Sequence, residues 1–188
     1  MNSLTRYKGC IWALLAAVCI STLLCFASVR RAYAGDGVQL AGNILTYALP
    51  ATIAGLTLSH RDSKGALEFC ESAALTLGVT YALKYSIKEE RPIGGPHSFP
   101  SAHSSFAFSS AEFLRKRYGW EYGVPAYAVA SFIAYSRVEC RAHHPHDVIA
   151  GAAIGIISSY IFTKPYKGWE IEADTDSKYW GIRLAHSW

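Results

Sequence analysis

Apolar residues run along this chain in long uncharged stretches broken by short polar turns, a pattern of helices rather than of alternating strands. Ile11 to Val29 carries no charge over 19 residues. Val38 to Ser59 is apolar or uncharged, interrupted by Gln39, Asn43 and Pro50, and leads into the polar turn His60-Arg61-Asp62-Ser63-Lys64-Gly65. Ala66 to Glu90 predicts the next helix, with Glu68 and Glu71 early and Lys84, Lys88 and Arg91 late. Acids first and bases last suits the helix dipole, and Pro92 is its stop signal. Ile93 to Pro100 is a loop punctuated by Gly and Pro. Further helices are expected over Ser101–Tyr118, Val124–Tyr135 and Val148–Thr163. The last holds Gly151, Ala152, Ala153 and Gly155, small residues that let neighbouring helices approach closely. Beyond it, Trp169 to Ala173 alternates apolar and polar residues, Asp174 to Ser177 is turn-like, and Tyr179 to Trp188 is aromatic-rich. That predicts a short hairpin packed on the edge of the bundle. The expected fold class is therefore all-α: a bundle of about five to six helices with a short C-terminal β-hairpin-like tail.

The 188 residues suffice for one domain. Its parts are a leader at 1–34, a helical domain at 35–168 and a tail at 169–188. Arg6 and Lys8 precede the first apolar run, and Ala32-Tyr33-Ala34 follows it. This is the layout of an exported protein's cleaved signal. The length of the run and the position of Arg30 and Arg31 make an uncleaved membrane anchor the second expectation. Either places the remaining chain outside the inner membrane, in a bacterial periplasm. Only Ile11–Val29 and Val38–Ser59 form uncharged runs near the roughly 20 residues a span requires, so the sequence favours a bundle resting on a membrane over six spans.

Composition narrows the partners. Hydrophobic residues make up 51% and charged residues 17%, which excludes a disordered chain. The net charge of +4 vanishes without the first 34 residues, so no nucleic-acid partner is expected. Cys70 and Cys140, the cysteines outside the leader, read as small buried residues or as a pair in an oxidising compartment.

Three clusters carry chemistry. Lys84 and Arg91, seven residues apart, would share one face of a helix; taken alone they make an ordinary solvated stripe. Pro100-Ser101-Ala102-His103 opens a helix, where unpaired N–H groups and the dipole favour an anion; taken alone, Ser101 is an ordinary N-cap. Ser136-Arg137 is followed after five residues by His143-His144-Pro145-His146-Asp147. Pro145 suits the first turn of a helix, and Asp147 can then reach back to one nitrogen of His143. A carboxylate so placed orients an imidazole and leaves its other nitrogen as base or nucleophile. Three cations, a hydroxyl and a helix start suit a phosphate dianion, and a second histidine can protonate a leaving oxygen.

Together, Lys84 through six residues to Arg91-Pro92, Pro100-Ser101-Ala102-His103, and Ser136-Arg137 through His143 to Asp147 resemble the tripartite signature of the type 2 phosphatidic acid phosphatase superfamily. That group includes lipid phosphatases, class A acid phosphatases and vanadium haloperoxidases. The signature spans residues 84 to 147, about a third of the chain, and Ala102 stands where the family usually has Gly. The resemblance implies that His143 attacks phosphorus and forms a phosphohistidine, that Asp147 orients it, and that His103 protonates the leaving group and activates water. Lys84, Arg91, Ser101, Arg137 and the N–H of Ala102 would hold the phosphoryl oxygens, with no metal and no cofactor. The implied substrate is a phosphorylated lipid or a small organic phosphate, met at a membrane surface.

Three rivals stand beside this reading. His143, His144, His146 and Asp147 could bind zinc, but that leaves three cations unexplained. A vanadate-dependent haloperoxidase would use the same anion pocket. A membrane-associated interaction protein with a vestigial site would retain costly charges to no purpose.

Overall fold

The computed structural model describes residues 34–166, 168–176 and 179–187; apart from Ala34, the expected leader lies outside them. Among the described residues five helices follow in order: α1 (Ala34–Ser59), α2 (Ser63–Ser86), α3 (Ala102–Tyr118), α4 (Trp120–Glu139) and α5 (Pro145–Phe162). The strands β1 (Gly168–Asp176) and β2 (Tyr179–Ser187) pair antiparallel, from Gly168 opposite Ser187 to Asp176 opposite Tyr179. Pairing thus continues through Asp174, Thr175 and Asp176, where the sequence suggested a turn; ladder hydrogen bonds override weak turn preferences.

Local chemistry sets most helix ends. Asp62 caps α2 by accepting from the Gly65 N–H at 2.9 Å. Ser101 caps α3, and Pro145 occupies the first turn of α5, which starts three residues before the expected Val148. That earlier start makes α5 an 18-residue apolar helix, so Pro145–Phe162 joins Gly37–Ser59 as long and apolar enough to cross a membrane. Gly119, at φ +97°, divides α3 from α4 in a backbone conformation that side chains disfavour. The expectation for α2 fails at its end. The helix stops at Ser86, not Glu90, because Ile87 turns extended and the following chain bonds within its own loop. Ser98 N–H donates to the Glu89 carbonyl at 2.8 Å and Arg91 N–H to that of Gly95 at 2.9 Å. Lys84 and Arg91 therefore do not share a helix face.

The interior joins an apolar core to a polar seam. Leu49, Ile53, Ala107, Ala111, Phe113, Ala130 and Ile133 form the core. Along α2 the buried face reads Gly65, Glu68, Ser72, Thr76, Thr80 and Lys84, one residue per turn. Thr76 and Thr80 meet Ser109 and Ser105 of α3 through hydroxyl hydrogen bonds of 3.2 and 2.9 Å. On the other side of α3, Gly151 and Gly155 of α5 lie against backbone. A methyl on Gly151 would sit 2.6 Å from the Ser101 carbonyl oxygen, and one on Gly155 would sit 2.7 Å from the Ser109 nitrogen. Meanwhile Leu40, Ile44, Leu58, Leu67, Val124, Ile149, Ile157 and Ile161 point outward and exposed. Small and hydroxylated residues inside with aliphatic ones outside is the packing logic of helices in lipid. Cys70 is exposed and unbridged, so it is not the buried residue expected.

At the end of α3 away from its N-cap, the buried Arg117 ties three segments together. Its Nε donates to Asp62 at 2.8 Å, its Nη1 to Glu68 at 3.2 Å, and the same Nη1 to the Lys164 carbonyl at 2.9 Å. Arg117→Ala would leave two buried carboxylates unpaired, and a loss of about 3–5 kcal/mol is expected. Denaturant unfolding of the detergent-solubilised protein measures it.

Candidate active site

The helix ends that surround the site are two starts and two finishes. α3 and α5 run parallel, and the Ser101 N–H donates to the Asp147 carbonyl at 3.0 Å, so both positive dipole ends lie side by side. α2 and α4 arrive with basic last turns, carrying Lys84 and Arg137. After α4 the chain folds back on itself. The Arg137 carbonyl accepts from the N–H groups of Ala142 and His143 at 3.0 and 3.2 Å, which returns His143 to the level of Arg137. The Ile93 N–H donates to the Arg141 carbonyl at 3.0 Å, tying the Arg91 loop to this turn.

The result is a cavity of about 510 Å³ lined by Gln39, Asn43, Tyr47, Tyr81, Lys84, Arg91, Ala102, His103, Arg137, Ala142 and His143. Of the residues singled out from sequence, Lys84, Arg91, Ala102, His103, Arg137 and His143 all reach it. Asp147 stands behind His143, fully buried, with Oδ2 3.4 Å from Nδ1. That separation is long for a hydrogen bond, as is common before substrate tightens a site. Ser101 does not line the cavity. It is fully buried, and its hydroxyl oxygen accepts from the Ser104 hydroxyl at 3.1 Å and the Ser104 N–H at 3.4 Å, which is the work of an N-cap.

Asp147 is held from two further sides. Oδ2 accepts from the Ser98 hydroxyl at 2.5 Å and from the His144 N–H at 2.9 Å, the latter a helix-start acid reaching back to its cap. Ser98 was not legible in the sequence; nothing marks one loop serine among others. Gln39 and Asn43 were missed although a signal existed: two amides four residues apart on one face of an apolar helix. His97 is more than a loop histidine. Its Nδ1 meets the Lys84 carbonyl at 2.9 Å, while Lys84 Nζ donates to the carbonyls of His97 and Ser98 at 2.8 and 3.2 Å. Of the remaining histidines, His146 Nε2 lies 2.7 Å from Glu89 Oε1 and 3.2 Å from Asp147 Oδ1.

Charge is the dominant property of the cavity. Lys84 and Arg137 are 7% and 3% exposed, Arg91 lies beside them, and among the described residues none of the three has a carboxylate partner. Burial, then Arg91, lowers the Lys84 ammonium to about 8. Burial, followed by Arg137, Arg91 and Lys84, pushes His103 down to about 4. His143 is also held to about 4, by burial and then Lys84 and Arg91, against the opposing pull of Asp147. Both imidazoles are thus neutral at pH 7, and the cavity is a positive cup whose nearest described carboxylate, Asp147, stands behind His143.

Comparison with known proteins agrees with this geometry. Residues 65–169, more than half of the chain, match the model of the PAP2 superfamily. The chain belongs to that family, the type 2 phosphatidic acid phosphatases. It is 31% identical over 166 residues to a lipid A 4'-phosphatase of Helicobacter pylori, covering 78% of this chain and 83% of that protein. Over 105 residues it is 40% identical to a lipid A 1-phosphatase of Porphyromonas gingivalis, 49% of this chain but only 23% of that longer protein. The crystal structure of Aquifex aeolicus LpxE has the same fold: TM-score 0.57 at 22% identity, over 74% of this chain and 92% of that one. The PAP2 chain described here is accordingly a phosphoric ester hydrolase.

Lys84, Arg91 and Arg137 repel one another across the cavity, so a tetrahedral oxyanion bound among them should stabilise the fold. Orthovanadate at about 100 times its Kd should add about 2.7 kcal/mol to unfolding. Thermal melts with and without vanadate test this, and Arg137→Ala should largely abolish the shift.

Proposed function

We propose that this PAP2 protein removes a phosphate from a membrane lipid, either a monoester or the end of a pyrophosphate, through a phosphohistidine on His143 and without a metal ion. The observation that carries the reading is one cavity in which three cations, none paired with a carboxylate among the described residues, face an imidazole backed by Asp147. Lys84, Arg91, Arg137 and the N–H groups of Ala102 and His103 bind the phosphoryl oxygens and match their charge through the transition state. His143 attacks in line through Nε2, the nitrogen turned from Asp147, and the P–N bond forms as the P–O bond to the lipid breaks. His103 gives its proton to the departing alkoxide. Water then attacks the phosphohistidine, His103 takes its proton, and the P–N bond breaks to release phosphate and neutral His143. Ser101 contributes by fixing the start of α3. Fixed cations already do the electrostatic work of a metal and repel one at the same place.

The exposed aliphatic faces, with α1 and α5 long and apolar enough to span, support a membrane setting. The names of the bacterial relatives favour a phosphorylated glycolipid over a polyprenyl diphosphate. Arg61, Lys64, Arg115, Lys116 and Lys164 lie at the bundle end away from the cavity. By the positive-inside rule that end is cytoplasmic, and the site opens to the periplasm.

His143→Ala should abolish phosphate release from lipid and soluble phosphates while the protein still folds, and EDTA should leave wild-type activity unchanged. Turnover by His143→Ala would overturn the assignment. The pH profile is a separate test. In the free enzyme burial, and after it the neighbouring cations, hold His103 to about 4, whereas a bound phosphate dianion offsets the cations' share and raises that value. The alkaline limb of kcat should therefore lie at higher pH than that of kcat/KM.

A further inference from the structure

The Arg137 guanidinium has five N–H donors, and among the described residues three of them find acceptors. Nε donates to the Ser136 hydroxyl at 3.0 Å, Nη1 to Asn43 Oδ1 at 2.8 Å and Nη2 to the Gln39 carbonyl at 3.0 Å. One N–H is left on each terminal nitrogen, the number a bidentate phosphate contact requires. Two of these three partners come from α1, which precedes the stretch that matches the family model. The approach is close. A methyl on Gly42 would lie 2.6 Å from Arg137 Nη2, so the absence of a side chain there is what lets α1 sit against the guanidinium. The amide of Asn43 is also electrically suited to its place: it accepts the hydrogen bond without cancelling the charge that phosphate must meet.

We propose that Asn43 is a positioning residue for phosphoryl transfer, aiming the buried Arg137 guanidinium so that its two remaining donors face the cavity. The proposal rests on the phosphatase reading above. Asn43 does not touch the reacting atoms; it acts through Arg137, and α1 thereby becomes part of the catalytic apparatus rather than only a span.

The test compares Asn43→Ala with Asn43→Asp on detergent-purified protein, using a soluble aryl phosphate and orthovanadate as competitive inhibitor. Asn43→Ala frees the guanidinium to tilt, and kcat/KM should fall roughly tenfold to a hundredfold, the order expected for misplacing a catalytic group. The vanadate Ki should rise in parallel. Asn43→Asp keeps size and acceptor but neutralises Arg137, so vanadate should bind more weakly still. A purely structural Asn43 predicts the reverse, with the isosteric Asp restoring wild-type behaviour. Asn43→Asp at wild-type kcat/KM and vanadate Ki overturns the proposal. So does Asn43→Ala within twofold of wild type, or a fall in its activity with vanadate affinity unchanged. If Asn43→Ala does not fold, Asn43→Asp decides alone. Wild-type turnover and its loss in His143→Ala test the underlying function separately, so an active wild type beside an indifferent Asn43 refutes only the positioning role.

Discussion

The site depends on how closely α3 and α5 approach. Two helices separated by ordinary side chains lie some 8–10 Å apart; Gly151 and Gly155 remove that spacer and let α5 rest on the backbone of α3 at Ser101, Ser105 and Ser109. Because the two run parallel and start together, the contact sets His103 on one start beside His143 and Asp147 on the other. The hydroxyl seam from α2 locks α3 from its opposite face and ends in Lys84. Two imidazoles, a carboxylate and a cation are thus placed by backbone proximity, not by long flexible side chains.

That placement crowds positive charge into the cavity, where an anionic ligand relieves it. The contrast with Arg117 makes the point. Both arginines are buried, but Arg117 is surrounded by Asp62 and Glu68, while Arg137 has neutral oxygens from Ser136, Asn43 and Gln39. The first arrangement is closed and holds the far end of the bundle together. The second keeps its charge available to a ligand. The depressed proton affinities of His103 and His143 follow from burial first and from the neighbouring cations second, so anion binding and proton placement are linked in one cavity.

Much of the helical fold was visible in the chain because its signals are local: the polar turn from His60 to Gly65, Ser101 as a cap and Pro145 as a first-turn residue. The end of α2 was not, since loop hydrogen bonds from Arg91 and Ser98 compete there with helical ones and no residue before Pro92 announces it. Arg91 still reaches the cavity, by a loop tied to Arg141 rather than along a helix face. Ser101, which the resemblance assigns to the ligand, caps α3 in the structure, as its position alone suggests. Ser98 had no signal at all.

What the sequence determined by itself is the inventory and its grouping: which imidazoles, cations and carboxylate gather at the cavity, and that a helix opens beside each of its histidines. These follow from residue type and short spacings, which act within a turn or two. The tertiary structure alone decided which hydroxyl supports Asp147, that α1 completes the Arg137 environment, and that among the described residues the cations have no carboxylate partner. Those facts depend on segments nearly a hundred residues apart meeting within hydrogen-bond distance, and no local periodicity encodes a contact of that range.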